Sequence, residues 1–538
     1  MKSKIYISAI ITASVLTVSG CNSLEQPPVN QYTDANYWNE ERAEFMVNSA
    51  YAAMYNAGRM WDDVSMGDDV INGRSTNNPG RLIKTGQATA STSRFNGEWD
   101  SMYTGIKFCH LFLDNIANID VKNPEKISRL TAEARFVRAY LFFRLATLYG
   151  DVPFFTHDIL SSEARTIGKT SKEEIIGFVR DELEDIIQVL PKRDDLTKEE
   201  SGRITKGAAV MLLARTWLYE NNWAEVERLT GFLIDRQDEY GSYSLFPSYR
   251  GLFEEENEYN SEVILDRAFV PNFITWSDIQ DMIPLSRDGR VSDRVPVQAL
   301  VDCYLTTGGY AIDEEGTDYD PGHPYDNRDP RMTATVIYDG YDWEANVNDW
   351  FPTKGNIEIN PATSTTEDAY AGPNSNGSVT GYYLRKWYAP QSKGSASSGL
   401  NLIMMRYADV LLMYAEAALE QGRLDESIWN RTIRPIRQRA GFTADRALDF
   451  PSGKTKDELR KIVRNERRCE LAIEGLRYFD IMRWDIGAEV FSGEVQGAYF
   501  TDHTGIFLKH IPERNYLWAI PQSEIDLNEN LKPQNPGY

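Results

Sequence analysis

Two stretches far apart in this chain carry one pattern, and that pattern restricts the fold more than any other feature. From about Thr205 to Glu220 apolar residues recur at helical spacing, the run turns at Asn221-Asn222, and an amphipathic partner extends from Trp223 to about Asp235. From Arg406 to Leu419 the spacing returns, with a turn at Gly422 and a resumption at Leu424. The units register, with Ala214 on Ala415, Leu218 on Leu419 and Trp223 on Leu424. Small residues at the point of close approach and a bulky one after the turn make the tetratricopeptide pattern. Each such hairpin leaves an apolar face that a neighbour must cover. Further helices near 40 to 60 and 104 to 119 bring the expected number to about four hairpins. Ala134, Val137, Leu141, Leu145 and Leu148 share one face of another helix, which stops at Gly150 before Asp151-Val152-Pro153. The expected class is mostly α, and an irregular helical bundle would carry much of the same periodicity.

Between these helical regions, 37–235 and 401–538, the segment 236–400 changes character. Glycine, proline, asparagine, aspartate and aromatic residues dominate it, with short β-type runs at Glu262-Val263-Ile264-Leu265 and Thr333-Ala334-Thr335-Val336-Ile337. Asn360 to Gly377 and Ser392 to Gly399 read as polar loops. A helical scaffold therefore carries a loop-rich insert, and loops on rigid scaffolds are where binding surfaces lie.

Lys2 and Lys4 precede an apolar run from Ile5 to Val18, shorter than the roughly 20 residues that span a bilayer. It ends in Val18-Ser19-Gly20-Cys21, small residues leading directly to a cysteine. A bacterial lipoprotein signal needs that thiol as acyl acceptor. Residues 1–20 are thus expected to be a signal peptide, and 21–36 the acylated Cys21 and its tether. The formal charge of −23 argues against a nucleic-acid partner, since no basic block offsets it. Cys109, Cys303 and Cys469 have no metal-type spacing and read as small buried residues rather than a disulfide framework.

Sugar binding needs flat apolar rings beside hydrogen-bonding side chains. Trp276 stands first, in a loop from Pro271 to Arg290 with Asn272, Asp278 and Arg287; Tyr341, Trp343 and Trp350 stand second. Asn72, Arg74 and Arg81, in a glycine-containing loop between Asp68 and Arg81, are expected to form the opposing wall. Trp99, Trp217 and Trp484 lie in helical strings and are assigned to the core. Asp313, Glu314, Asp318, Asp320 and Asp326 could offer oxygens to calcium, but their spacing is not that of an EF-hand and the loop reads as solvated, so no metal or cofactor is expected. Hydrolysis would need a carboxylate pair. Asp68-Asp69 and Glu254-Glu255-Glu256 supply adjacent acids, which usually are solvated, and neither His-Glu-x-x-His nor Gly-x-Ser-x-Gly occurs. The expectation is a binding protein and not an enzyme.

A series of strings then carries a resemblance. It comprises the lipobox at Cys21, Tyr37-Trp38, Trp99 to Ile106, Arg135-Phe136-Val137-Arg138-Ala139-Tyr140, Tyr149-Gly150-Asp151-Val152-Pro153 and Gly202-Arg203-Ile204-Thr205-Lys206-Gly207-Ala208-Ala209. It continues with Asn327-Arg328-Asp329-Pro330-Arg331, Arg406-Tyr407-Ala408-Asp409-Val410-Leu411-Leu412, Asn465-Glu466-Arg467-Arg468-Cys469-Glu470-Leu471, Arg477-Tyr478-Phe479-Asp480 and the ending from Ile520-Pro521 to Gly537-Tyr538. Together and in this order they resemble the SusD/RagB nutrient-uptake lipoproteins of Bacteroidetes outer membranes. The resemblance implies tetratricopeptide-like hairpins and a loop-built binding face, in which the 68–81 region and the loop near Trp276 face each other. It also implies a lipid-anchored, cell-surface protein that captures glycan and delivers it to a TonB-dependent transporter of the SusC type. The same scaffold with a peptide or other nutrient as cargo, and a secreted glycoside hydrolase, are the alternatives.

Overall fold

The computed structural model describes residues 37–347, 355–372, 375–392 and 394–538. The helices of its framework begin where side chains can satisfy orphan amides. Asn39, Asn123, Ser171, Thr205, Asn222 and Thr455 each accept the backbone N–H three residues on. The long helices are α1 (Glu40–Met54), α2 (Ser93–Leu113), α3 (Pro124–Tyr149), α4 (Lys172–Ile187), α5 (Lys206–Leu218), α6 (Trp223–Asp235), α7 (Tyr407–Glu420) and α8 (Lys456–Glu470). Each packs on the next through the whole series, which makes four successive pairs. The molecule is mostly helical, as its periodicity predicts.

Two details differ from expectation. The helix expected near 104 to 119 starts at Ser93 and stops at Leu113, leaving only a short 3₁₀ turn at Ile116–Asn118. The helix expected to resume at Leu424 is broken into Glu426–Arg431 and Ile433–Ala440. Pro435 explains the break, because it cannot donate to the Arg431 carbonyl and its ring would strike it. α7 instead packs on α8 as its long partner. Ala415, Leu419 and Leu424 share one apolar cluster with Trp429, Ile433, Leu459 and Val463.

The insert is fastened to the array by Val263–Arg267, which pairs antiparallel with Leu402–Arg406 at the start of α7. All ladders among the described residues are two-stranded, so the insert is held by its core and not by a sheet. Of the run Thr333 to Ile337 only Val336–Ile337 is extended; Pro330–Thr335 is helical, with Asp329 accepting the Arg331 amide and Pro330 fitting the first turn. A second apolar core fills the insert with Trp276, Tyr341, Trp343, Trp387 and Tyr383, and receives Tyr55 and Trp61 from the N-terminal helices. Trp99 and Trp484 are buried, while Trp217 is half-buried under the Arg180 guanidinium, 3.3 Å from the ring centroid. Among the described residues no helix is long and apolar enough to cross a membrane.

Candidate ligand-binding face

The loops flanking the insert core decide what can touch a ligand, and they overturn the expected choice of rings. Trp276 pairs with Ser398 in a two-residue ladder. Alternation along the strand turns Ser277 outward and Trp276 inward. Its ring is only 4% exposed, packs 6.3 Å from Trp61, and its Nε1 donates to the Leu400 carbonyl at 2.8 Å. It is a core residue and has no free face for a sugar. Tyr341 and Trp343 are corrected likewise: both are buried, Tyr341 donating its hydroxyl to the Thr333 carbonyl at 3.1 Å and Trp343 packing on Tyr388. Arg287 is buried too, spent on the Gly355 carbonyl at 2.9 Å. Trp350 and Cys21 lie outside the described residues.

The polar residues fare differently. Val70–Asn72 pairs antiparallel with Arg294–Pro296, placing Asn72 opposite Arg294. Asn72 is buried and acts as a loop anchor: its side chain donates to Asp293 at 3.3 Å and accepts the amides of Arg74 and Ser75 at 3.1 and 2.8 Å. Arg294 pairs with Asp278 at 3.3 Å, Ser292 donates to the Asn376 carbonyl, and Arg74 donates to the Gly377 carbonyl at 3.3 Å. The 72–81 loop and the 278–294 loop therefore adjoin and are bonded together, rather than standing as separate walls.

Arg74 and Arg81 are the cations of this face. Both are half-buried, and their bonds run to the backbone carbonyls of Gly377 and Asn72. Neither joins an ion pair among the described residues, and burial holds both below the ordinary guanidinium range, with Asp293 partly offsetting this at Arg74. Beside them Ser75, Thr76, Asn77 and Asn376 are exposed. A planar donor fork with unspent N–H groups next to exposed hydroxyl and amide groups is suited to hydroxyl-rich ligands.

The ring that sequence reasoning missed is Phe273. Val270 and Ile274 exchange backbone bonds at 2.8 and 2.9 Å, Asn272 takes the turn with φ +66°, and Phe273 stands 87% exposed between exposed Val270 and Ile274. Tyr499 is a second exposed ring, 68% open, whose hydroxyl accepts from Asn360 at 3.2 Å. The turn-prone Pro271-Asn272 before Phe273 was the available signal.

Other acidic groups are accounted for. Asp68 and Asp69 are not solvated: both are buried against Arg468, with Arg477 also on Asp68. Glu258 and Asp266 share Asn401, and burial pushes each carboxyl up to about 7. In the 313–326 loop, Asp320 and Asp326 lie beside His323 and Glu314 pairs with Arg446. No group of three or more histidine, cysteine or acidic residues among the described residues could hold a metal ion. A concavity of about 730 Å³ opens near Tyr325, Asn327 and Arg328, but Arg328 is committed to the Val301 and Tyr304 carbonyls and its neighbour Arg439 to Glu262.

Comparison with known proteins places this arrangement. A family model described as the SusD family matches residues 281–538, and a second, described as starch-binding associating with outer membrane, matches residues 25–218. The chain belongs to the SusD/RagB family. SusD-like protein P2 of Formosa agariphila is 25% identical over 97% of this chain and 98% of its own length. A SusD-like protein of Bacteroides ovatus is 23% identical over 90% of this chain and 83% of its own. Among solved structures, a SusD-like carbohydrate binding protein from Bacteroides fragilis is 29% identical with a TM-score of 0.79, covering 93% of this chain and all of that one.

Four of the strings that carry the SusD/RagB resemblance meet in buried ion-pair networks. Arg331 is bound by Asp329, Glu466 and Glu470, and Arg406 by Glu262, Glu470 and Glu474. Asp409 holds Arg215 and Arg467, and Arg467 passes on to Asp480. These motifs knit the insert to α7 and α8.

Proposed function

We propose that this SusD/RagB protein is a non-catalytic glycan-capturing lipoprotein. It is held at the outer cell surface through acylated Cys21 and hands its cargo to a TonB-dependent transporter of the SusC type. The observation that carries the reading is the pair Arg74 and Arg81, cations without carboxylate partners among the described residues, on a face with exposed hydroxyl and amide groups. Phe273 supplies an exposed ring from the turn at 270–274, and sugar C–H faces lie well against such rings. The carbohydrate-binding description of the Bacteroides fragilis protein supports the same cargo class. Of the acids a hydrolytic reading would use, Asp68 and Asp69 are buried and held by arginines, and Asp266 is buried.

Native affinity gels containing a panel of polysaccharides test this. At least one neutral glycan should retard the protein, and Phe273→Ala and the double change Arg74→Ala/Arg81→Ala should relieve the retardation. Retardation by none of the panel, together with binding of peptides in calorimetry, would replace glycan with peptide as cargo. Release of reducing ends at enzyme-like rates would overturn the non-catalytic assignment. Co-purification of a barrel transporter from solubilised envelope tests the handover.

A further inference from the structure

Cys303 ends the helix Gln298–Cys303 in the insert, and Cys469 lies in the last turn of α8. They come from segments far apart in the chain but share one apolar core, and their sulfurs stand 3.5 Å apart. A disulfide needs about 2.05 Å, so the atoms must close by only about 1.5 Å. Packing presets the approach. The two helices touch, Asn465 donates to the Cys303 carbonyl at 2.8 Å, and the Cys469 thiol points at that same carbonyl at 3.3 Å. Cys109 is different: it is buried in the helical core, where burial pushes its thiol up to about 12.

We propose that the exported protein carries a Cys303–Cys469 disulfide that fastens the insert to α8, formed by exchange with a small-molecule or protein disulfide. This rests on the exported reading above, because disulfides persist in oxidising compartments. Cys303 is half-exposed and meets the oxidant first. Its thiol gives up a proton and attacks one oxidant sulfur, releasing the other as a thiolate. Cys469 then gives up its proton and attacks the Cys303 sulfur of the mixed disulfide, expelling the second thiolate. Two protein thiols become one disulfide, and the oxidant leaves as two thiols that take up the two protons. Burial beside Cys303 holds the Cys469 thiol well above its ordinary range, so the second step should quicken as pH rises. The bond joins residues 166 apart, a long loop in the unfolded chain.

The full chain is taken from the cell envelope under an alkylating agent, denatured, digested without reductant and read by mass spectrometry. In parallel, purified and reduced protein is exposed to oxidised glutathione, with Cys303→Ser as control. A linked peptide pair holding Cys303 and Cys469, with Cys109 alkylated, is expected in both arms, and reduction should lower Tm by about 5 °C. Alkylation of both cysteines in the glutathione arm overturns the pairing itself. Linkage with glutathione but free thiols in the envelope arm overturns the proposal through the exported reading and leaves the geometry standing.

Discussion

Trp276 and Phe273 share one loop and have opposite fates, which makes them a matched pair of tests. Removing a buried indole that packs on Trp61 and bonds Leu400 should cost about 3 to 5 kcal/mol. Removing the exposed Phe273 ring should leave stability within about 0.5 kcal/mol. Urea melts of Trp276→Ala and Phe273→Ala check both, and a Trp276→Ala protein of wild-type stability would reject its burial. The sequence made the loop legible but not the facing of its rings. Facing follows from strand register, and the register of Trp276 is set by Ser398, a residue remote in the chain. Asp266 offers a test by pH. Burial lifts its carboxyl to about 7, against roughly 4 in an unfolded chain, so the native protein keeps a proton the unfolded one loses. Stability therefore falls as pH rises from about 4 to about 7 and stays lowered above that. Around this group stand Glu258, Tyr259 and Arg267; Glu258 remains to titrate when Asp266 is changed. Asp266→Asn should match the wild type near pH 4 and exceed it at pH 8 by on the order of 3 kcal/mol, read from urea melts at the two pH values. Equal stability at pH 8 would show that Asp266 ionises freely.

At the scale of elements, close approach of helices is the physical requirement. Gly105 lies in α2, and a Cβ built there would meet Leu141 Cδ1 of α3 at 2.6 Å and Ala53 Cβ of α1 at 2.7 Å. Two effects compete in Gly105→Ala. Helix propensity favours alanine by about 1 kcal/mol. Overpacking opposes it by about 1 to 3 kcal/mol, and Ala53 Cβ is fixed to its backbone, so α1 itself must shift. The clash wins, and Gly105→Ala should lower the urea midpoint with an unchanged m-value; a raised midpoint would mean that α1 and α2 are not in this contact. Element identity was readable because caps and 3.6-residue periodicity are local. Thr205, Asn222 and Thr455 announce their helices in the sequence. The split fourth hairpin was also written in the chain, at Pro435, though a repeat template drawn through Leu424 passes over it. The helix that starts at Pro330 and takes in the first half of a β-prone run is decided by the Asp329 cap and by the bonds that hold Arg331.

Across the whole molecule, a charged lattice lies between the insert and α7–α8, where two apolar cores meet beside the Val263–Arg267 ladder and Met404. Arg406 is its centre, buried and bonded to Glu262, Glu470 and Glu474; against the opposing effect of burial, Arg439, Arg406 and Arg331 hold Glu470 at about 2, and Arg406 and Lys386 hold Glu474 below its ordinary value. Both acids have depressed native pKa values. Their contribution is therefore present above the unfolded value near 4.5 and fades as pH falls toward 2. Arg406→Ala leaves carboxylates buried with too little positive charge, and breaking such a network costs about 3 to 5 kcal/mol. In the variant those acids escape the penalty by binding protons, so the deficit should be largest near pH 8 and shrink toward pH 4. A lost packing contact has no such dependence. Urea melts of wild type and Arg406→Ala across that range separate the two causes: a deficit independent of pH would mean that Arg406 holds the lobes together by its aliphatic stem alone, while a shrinking one assigns the junction to charge.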